Sequence, residues 1–86
     1  MGVIAAVLAL RSLPNGRAAE VVSVDRGAAA DVLADRLHEL GFFEGEQVRV
    51  LNRGIAGGPL AVRVGSTTFA LRGVEAERVR VKLPPG

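Results

Sequence analysis

Arg36–Val50, RLHELGFFEGEQVRV, decides the reading of this chain, because the hydrophobic period changes inside it from that of a helix to that of a strand. Leu33, Leu37 and Leu40 fall at i, i+4 and i+7 and share one helical face, and Gly41 follows as a residue that can close the last turn with positive φ. Beyond Phe42, Phe43 and a turn at Glu44-Gly45, Val48 and Val50 alternate with Gln47 and Arg49, as a half-buried strand requires.

Upstream of this junction the helix is predicted over Ala28–Leu40, with Asp31 and Asp35 in its N-terminal half and Arg36 and His38 nearer its C-terminus, the order that the helix dipole favours. Before it, Arg17–Asp25 reads as a strand in which Val22 and Val24 are the expected core row, and Pro14-Asn15-Gly16 is the turn that starts it. Met1–Leu10 is apolar, but a bilayer span needs about 20 such residues and no basic residue precedes the run, so it reads as uncleaved, an N-terminal strand or a mobile extension.

Downstream, short strands are predicted at Gln47–Arg53, Leu60–Gly65, Thr67–Arg72 and Arg78–Leu83. Gly65 sets a tight hairpin that places Leu60, Val62 and Val64 opposite Phe69 and Leu71, and Val74–Arg78 supplies one helical turn before the last strand. The resulting fold class is mainly β: a small SH3-like five-stranded barrel with one inserted α-helix and a short helical turn before the last strand. The expected organisation is an N-terminal apolar extension over 1–12, the domain over 13–83, and a C-terminal tail over 84–86.

Composition narrows the chemistry. A chain of 86 residues holds one domain with a simple core, and 49% hydrophobic content is too apolar for disorder. The absence of cysteine excludes disulfides, thiolate metal sites and thiol catalysis, and is compatible with a reducing cytosol. Ten arginines and one lysine are spread along a chain of net charge +2, so no concentrated basic field points to nucleic acid.

His38 is the only histidine; with Asp35 and Glu39 nearby it is a weak metal candidate without a defined set of ligands, so no cofactor is expected beyond weak transition-metal binding. The Gly54–Pro59 loop lacks the Lys-Ser or Lys-Thr of a phosphate cradle, and no nucleophile, base and acid can be assembled, so the chain does not read as an enzyme. Arg49, Arg63, Arg72 and Arg80 offer a stripe for RNA, but Trp and Tyr are absent and no stacking platform accompanies it. What remains is contact with protein: Leu37, Leu40, Phe42 and Phe43 gather at the helix end as an apolar docking patch or a plug for the barrel.

Three motifs in order, RLHELGFFEG, VRVLNRGIAGGPLAVRV and FALRGVEAERVRV, resemble the FeoA family from about Leu13 to Val81, with Phe42-Phe43 standing where one aliphatic residue is common. The resemblance implies a cytosolic accessory of bacterial ferrous iron uptake that docks through the helix end on FeoB, a membrane transporter with a cytoplasmic GTP-binding domain, and modulates it. Two other readings of the same barrel are a regulatory module like the C-terminal domain of iron-dependent repressors, although the chain has no room for their DNA-binding helices, and a small RNA-binding barrel.

Overall fold

The computed structural model of the chain describes residues 6–27 and 31–84. Its elements in order are β1 (Val7–Ala9), β2 (Ala18–Val24), α1 (Val32–Glu39), β3 (Gln47–Arg53), β4 (Leu60–Val64), β5 (Thr67–Leu71), α2 (Gly73–Ala76) and β6 (Val79–Lys82), with 3₁₀ turns at Leu10–Ser12 and Ile55–Gly57. All six strands form one antiparallel sheet in the order β1-β6-β2-β3-β4-β5.

The sixth strand is a correction to the five expected. Val7–Ala9 pairs with Lys82–Arg80, and Leu10 and Leu13 just beyond it are fully buried, so the apolar segment before residue 13 contributes to the sheet and the core from Val7 onward. Arg53 ties this segment down by donating from its guanidinium to the carbonyls of Arg11 and Leu13. At the other end Pro84 is exposed, and the last two residues of the expected tail lie outside the described residues.

Sheet register obeys the alternation of the sequence except at two bulges. In β2, Val21 pairs with Val81 but Ser23 with Arg80, so Val22 is an extra residue and the inward row changes phase across it. The core row is therefore Ala19 and Val21, both buried, then Val24 packed against the cluster; Val22, expected to face inward, stands at the bulge. In β3 the shift between Val50 and Asn52 likewise leaves Leu51 over, 41% exposed.

The remaining expectations for the sheet are met. Val64 pairs with Thr67 around Gly65 at φ 59, and Leu60 and Val62 lie opposite Leu71 and Phe69. The helical turn predicted at Val74–Arg78 starts one residue earlier, at Gly73, where the Arg72 N–H donates to the buried carboxylate of Glu75 at 2.7 Å. The concave side of the sheet closes over Val21, Val48, Val50, Val62, Val64, Leu71, Val79 and Val81, together with Leu37 and Phe42 from the helix and its end.

Candidate docking site at the helix end

The end of α1 determines which side chains reach solvent. The Gly41 N–H donates to His38 O at 3.0 Å and the Phe42 N–H to Leu37 O at 3.2 Å, while Gly41 takes φ 114; this is the Schellman closure. Its two bonds reverse the chain so that Phe42 falls beside Leu37 in the core, with relative exposures of 1% and 0%. Burial of side chains this large contributes about 1.5–3 kcal/mol each, before the entropy of ordering them.

Phe43 is turned the other way. Its N–H donates to Gly41 O at 2.8 Å and its carbonyl accepts from the Glu46 N–H at 3.0 Å, so the backbone is held on both sides while the ring remains 44% exposed. The ring meets His38 edge to face, with centroids 4.3 Å apart and planes at 76°. Leu40 is half-buried beside the core, and an open groove of about 340 Å³ runs past His38, Phe42 and Glu44 to Val22, Val24 and Arg26. The fold thus brings all four predicted docking residues to one corner but divides them: Leu37 and Phe42 are core, whereas Leu40 and Phe43 form its surface.

The N-terminus of α1 is fixed from the opposite side by groups whose long-range pairing is illegible in the sequence. Asp31 is the N-cap, accepting from the Gly27 N–H at 2.8 Å and the Ala34 N–H at 3.1 Å, and its Oδ2 also meets Arg78 Nη1 at 2.6 Å. These contacts, the Gly27 amide first and then Arg78, hold the Asp31 carboxyl well below the usual carboxylate range. Arg78 also donates to Asp25 O at 3.1 Å, and Arg80 pairs with Asp25 Oδ2 at 2.8 Å. Asp31, expected inside the helix, is instead its N-cap with extended backbone, so the helix begins at Val32; the expected start at 28–30 lies outside the described residues.

His38 is exposed, and among the described residues no group of three or more His, Asp or Glu side chains could hold a metal ion. The arginine stripe is split, because Arg72 lies 3.6 Å from Glu75 and Arg80 is held by Asp25, whereas Arg49 and Arg63 pair with no carboxylate among the described residues. No helix among those residues is long and apolar enough to cross a membrane.

A single antiparallel sheet curled around one core, entered by one short helix and completed by a helical turn before its last strand, defines a small SH3-like domain. The family model for the FeoA domain matches residues 8–83, and the chain belongs to the FeoA family. The zinc complex of FeoA from Stenotrophomonas maltophilia, described as a prokaryotic SH3 domain protein, is 49% identical, superposes with a TM-score of 0.78, and is matched over 86% of this chain and 88% of that one. FeoA of Chlorobium tepidum is 32% identical, with a TM-score of 0.77 over 92% of this chain and 72% of that one.

A manganese-dependent transcriptional repressor shares the fold, with a TM-score of 0.76 at 22% identity over 94% of this chain but 44% of its own. Among curated proteins, none matches significantly.

Proposed function

We propose that this chain is a cytoplasmic accessory protein of ferrous iron uptake that docks on the FeoB transporter and modulates it, with no reaction centre of its own. The observation that carries the reading is Phe43: an aromatic ring held partly out of the core by a fixed turn and set edge to face against His38, on a member of the FeoA family. An exposed aromatic on a rigid turn loses little conformational freedom when covered, which suits it to anchor a contact. Leu37 and Phe42 serve this site from beneath by fixing the direction of the turn. The Stenotrophomonas maltophilia relative has been put forward as a ferrous iron transport activating factor, in keeping with this role. Iron enters the reading as the transporter's cargo and not as a ligand of His38.

The test is binding of the purified chain to FeoB in nanodiscs, by biolayer interferometry, for wild type, Phe43→Ser and Leu40→Gln. Saturable wild-type binding weakened at least about tenfold by Phe43→Ser, with an unchanged melting curve, is expected for a central aromatic anchor. No wild-type binding, or equal binding by both variants, would remove the proposal.

A further inference from the structure

Among the described residues, six ion pairs join Arg11 to Glu77, Arg26 to Asp35, Arg72 to Glu75, Arg78 to Asp31, Arg80 to Asp25 and Lys82 to Glu20. The carboxylates left over, Glu39, Glu44 and Glu46, all belong to the helix end and the turn after it. On the sheet the surplus has the opposite sign. Arg49 of β3 and Arg63 of β4 are direct cross-strand partners, and both point outward because Val48, Val50, Val62 and Val64 on either side of them are buried.

Like charges set directly opposite on one face destabilise an antiparallel pair, so this arrangement costs the free protein stability. The row that they share offers nothing to relieve it: Ala18 flanks Arg49 on β2 and Thr68 flanks Arg63 on β5. Neither neighbour carries a negative charge, and neither is large enough to cover the guanidinium groups. The two arginines instead border an open groove of about 400 Å³ with Gln47, Ala18 and the bulged Leu51, which is 41% exposed. The result is two cations beside one apolar side chain, with the Glu46 carboxylate near the Gly65 rim of the same groove.

We infer that this outer face of β3–β4 is a docking groove for an acidic, extended segment of a partner protein, whose carboxylates bridge Arg49 and Arg63 while an apolar residue covers Leu51. Charge complementarity selects the occupant, because bound carboxylates convert a repulsive pair into a bridged one. A single small anion on so open a surface stays hydrated and gains little. A nucleic-acid strand requires stacking aromatics and a longer run of phosphate contacts, and Phe69, the one aromatic of the neighbouring strand, is paired with Val62 and packs against the core. This surface is made of residues other than those of the helix-end corner, so either can fail without the other.

The test uses a fluorescein-labelled decapeptide of glutamates with one central leucine, titrated with the full chain at low salt and followed by anisotropy. Wild type is expected to bind, with affinity falling steeply as salt rises, and Arg49→Gln/Arg63→Gln to weaken binding about tenfold or more. Arg36→Gln, which removes an exposed arginine on α1 that pairs with no carboxylate among the described residues, is expected to leave binding unchanged, and amide shifts in ¹⁵N spectra are expected at Gln47, Arg49, Leu51 and Arg63.

Equal binding by the double variant, equal loss in Arg36→Gln, or shifts centred on another surface would overturn the inference. So would tighter, arginine-dependent binding of a ten-nucleotide RNA. Thermal melts check that the double variant folds, as the removal of like charges predicts.

Discussion

Along the seam between α1 and β6, Arg78 and Arg80 each lie within 2.8 Å of a carboxylate oxygen, and Arg78 also donates to the Asp25 carbonyl. Across the outer face of β3 and β4, Arg49 stands opposite Arg63 with no carboxylate paired to either among the described residues. The same residue type holds one region together and loads the other with uncompensated charge. Phe42 and Phe43 repeat the division within two residues, one in the core and one in solvent. In both pairs, the side chain that completes the fold is tied by contacts within the chain, and the one left over is a candidate for contact with something else.

The largest effect is expected where the helix end enters the core. Phe42→Ala should lower unfolding free energy by about 3–5 kcal/mol in urea titrations, since the ring has nowhere else to be replaced from. A loss under about 1 kcal/mol would mean that the corner collapses easily and that Phe43 is not rigidly presented.

A smaller but distinct loss is expected from Arg78→Gln, which leaves Asp31 with only the Gly27 and Ala34 amides. Because the Asp31 carboxyl sits below its ordinary 3.8 in the folded chain, its contribution is complete above that pH and is lost as the pH falls below it. Melting temperature should therefore drop on acidification below pH 4, and Asp31→Asn should flatten that part of the profile while starting from a lower plateau. A wild-type acid profile in Asp31→Asn would show that the seam does not hold the helix.

The arginine face should respond in the opposite direction. Arg63→Gln is expected to raise stability by about 0.2–1 kcal/mol at low salt, with the gain shrinking as salt screens the pair. A destabilised Arg63→Gln would show that the two arginines are accommodated rather than repelled. The smallest change belongs to Phe43→Ala, within about 0.5 kcal/mol by the same urea titration despite the size of the deleted ring, because its surroundings are already half solvent. Set beside Phe42→Ala, it measures how completely one turn separates the two neighbours.

Local chemistry explains how much of this was legible. The helix end at Gly41, the turn at Gly16, the hairpin at Gly65 and the pairing of Leu60 and Val62 with Leu71 and Phe69 follow from glycine conformations and two-residue alternation, and all are found. The motif order likewise pointed to the FeoA family, which the match over residues 8–83 bears out. The two bulges are not legible, since an extra residue leaves no local mark among apolar neighbours such as Val21-Val22 and Val50-Leu51; the inward place expected of Val22 belongs to Val21. At the corner the patch of four was legible as a cluster, but not its division into Leu37 and Phe42 below and Leu40 and Phe43 above.

By itself the sequence determined one small β domain with a single helix, where that helix stops, and which strands form hairpins, because each depends on residues only a few positions apart. Tertiary structure alone decided that Val7–Ala9 joins the sheet beside β6, that Asp31 finds Arg78 across 47 positions, and that Arg49 is left facing Arg63. Those pairings are fixed by strand order and by the phase shift at each bulge. Both are properties of how the sheet closes on its core; at β2 the bulge turns Val24 rather than Ser23 towards it.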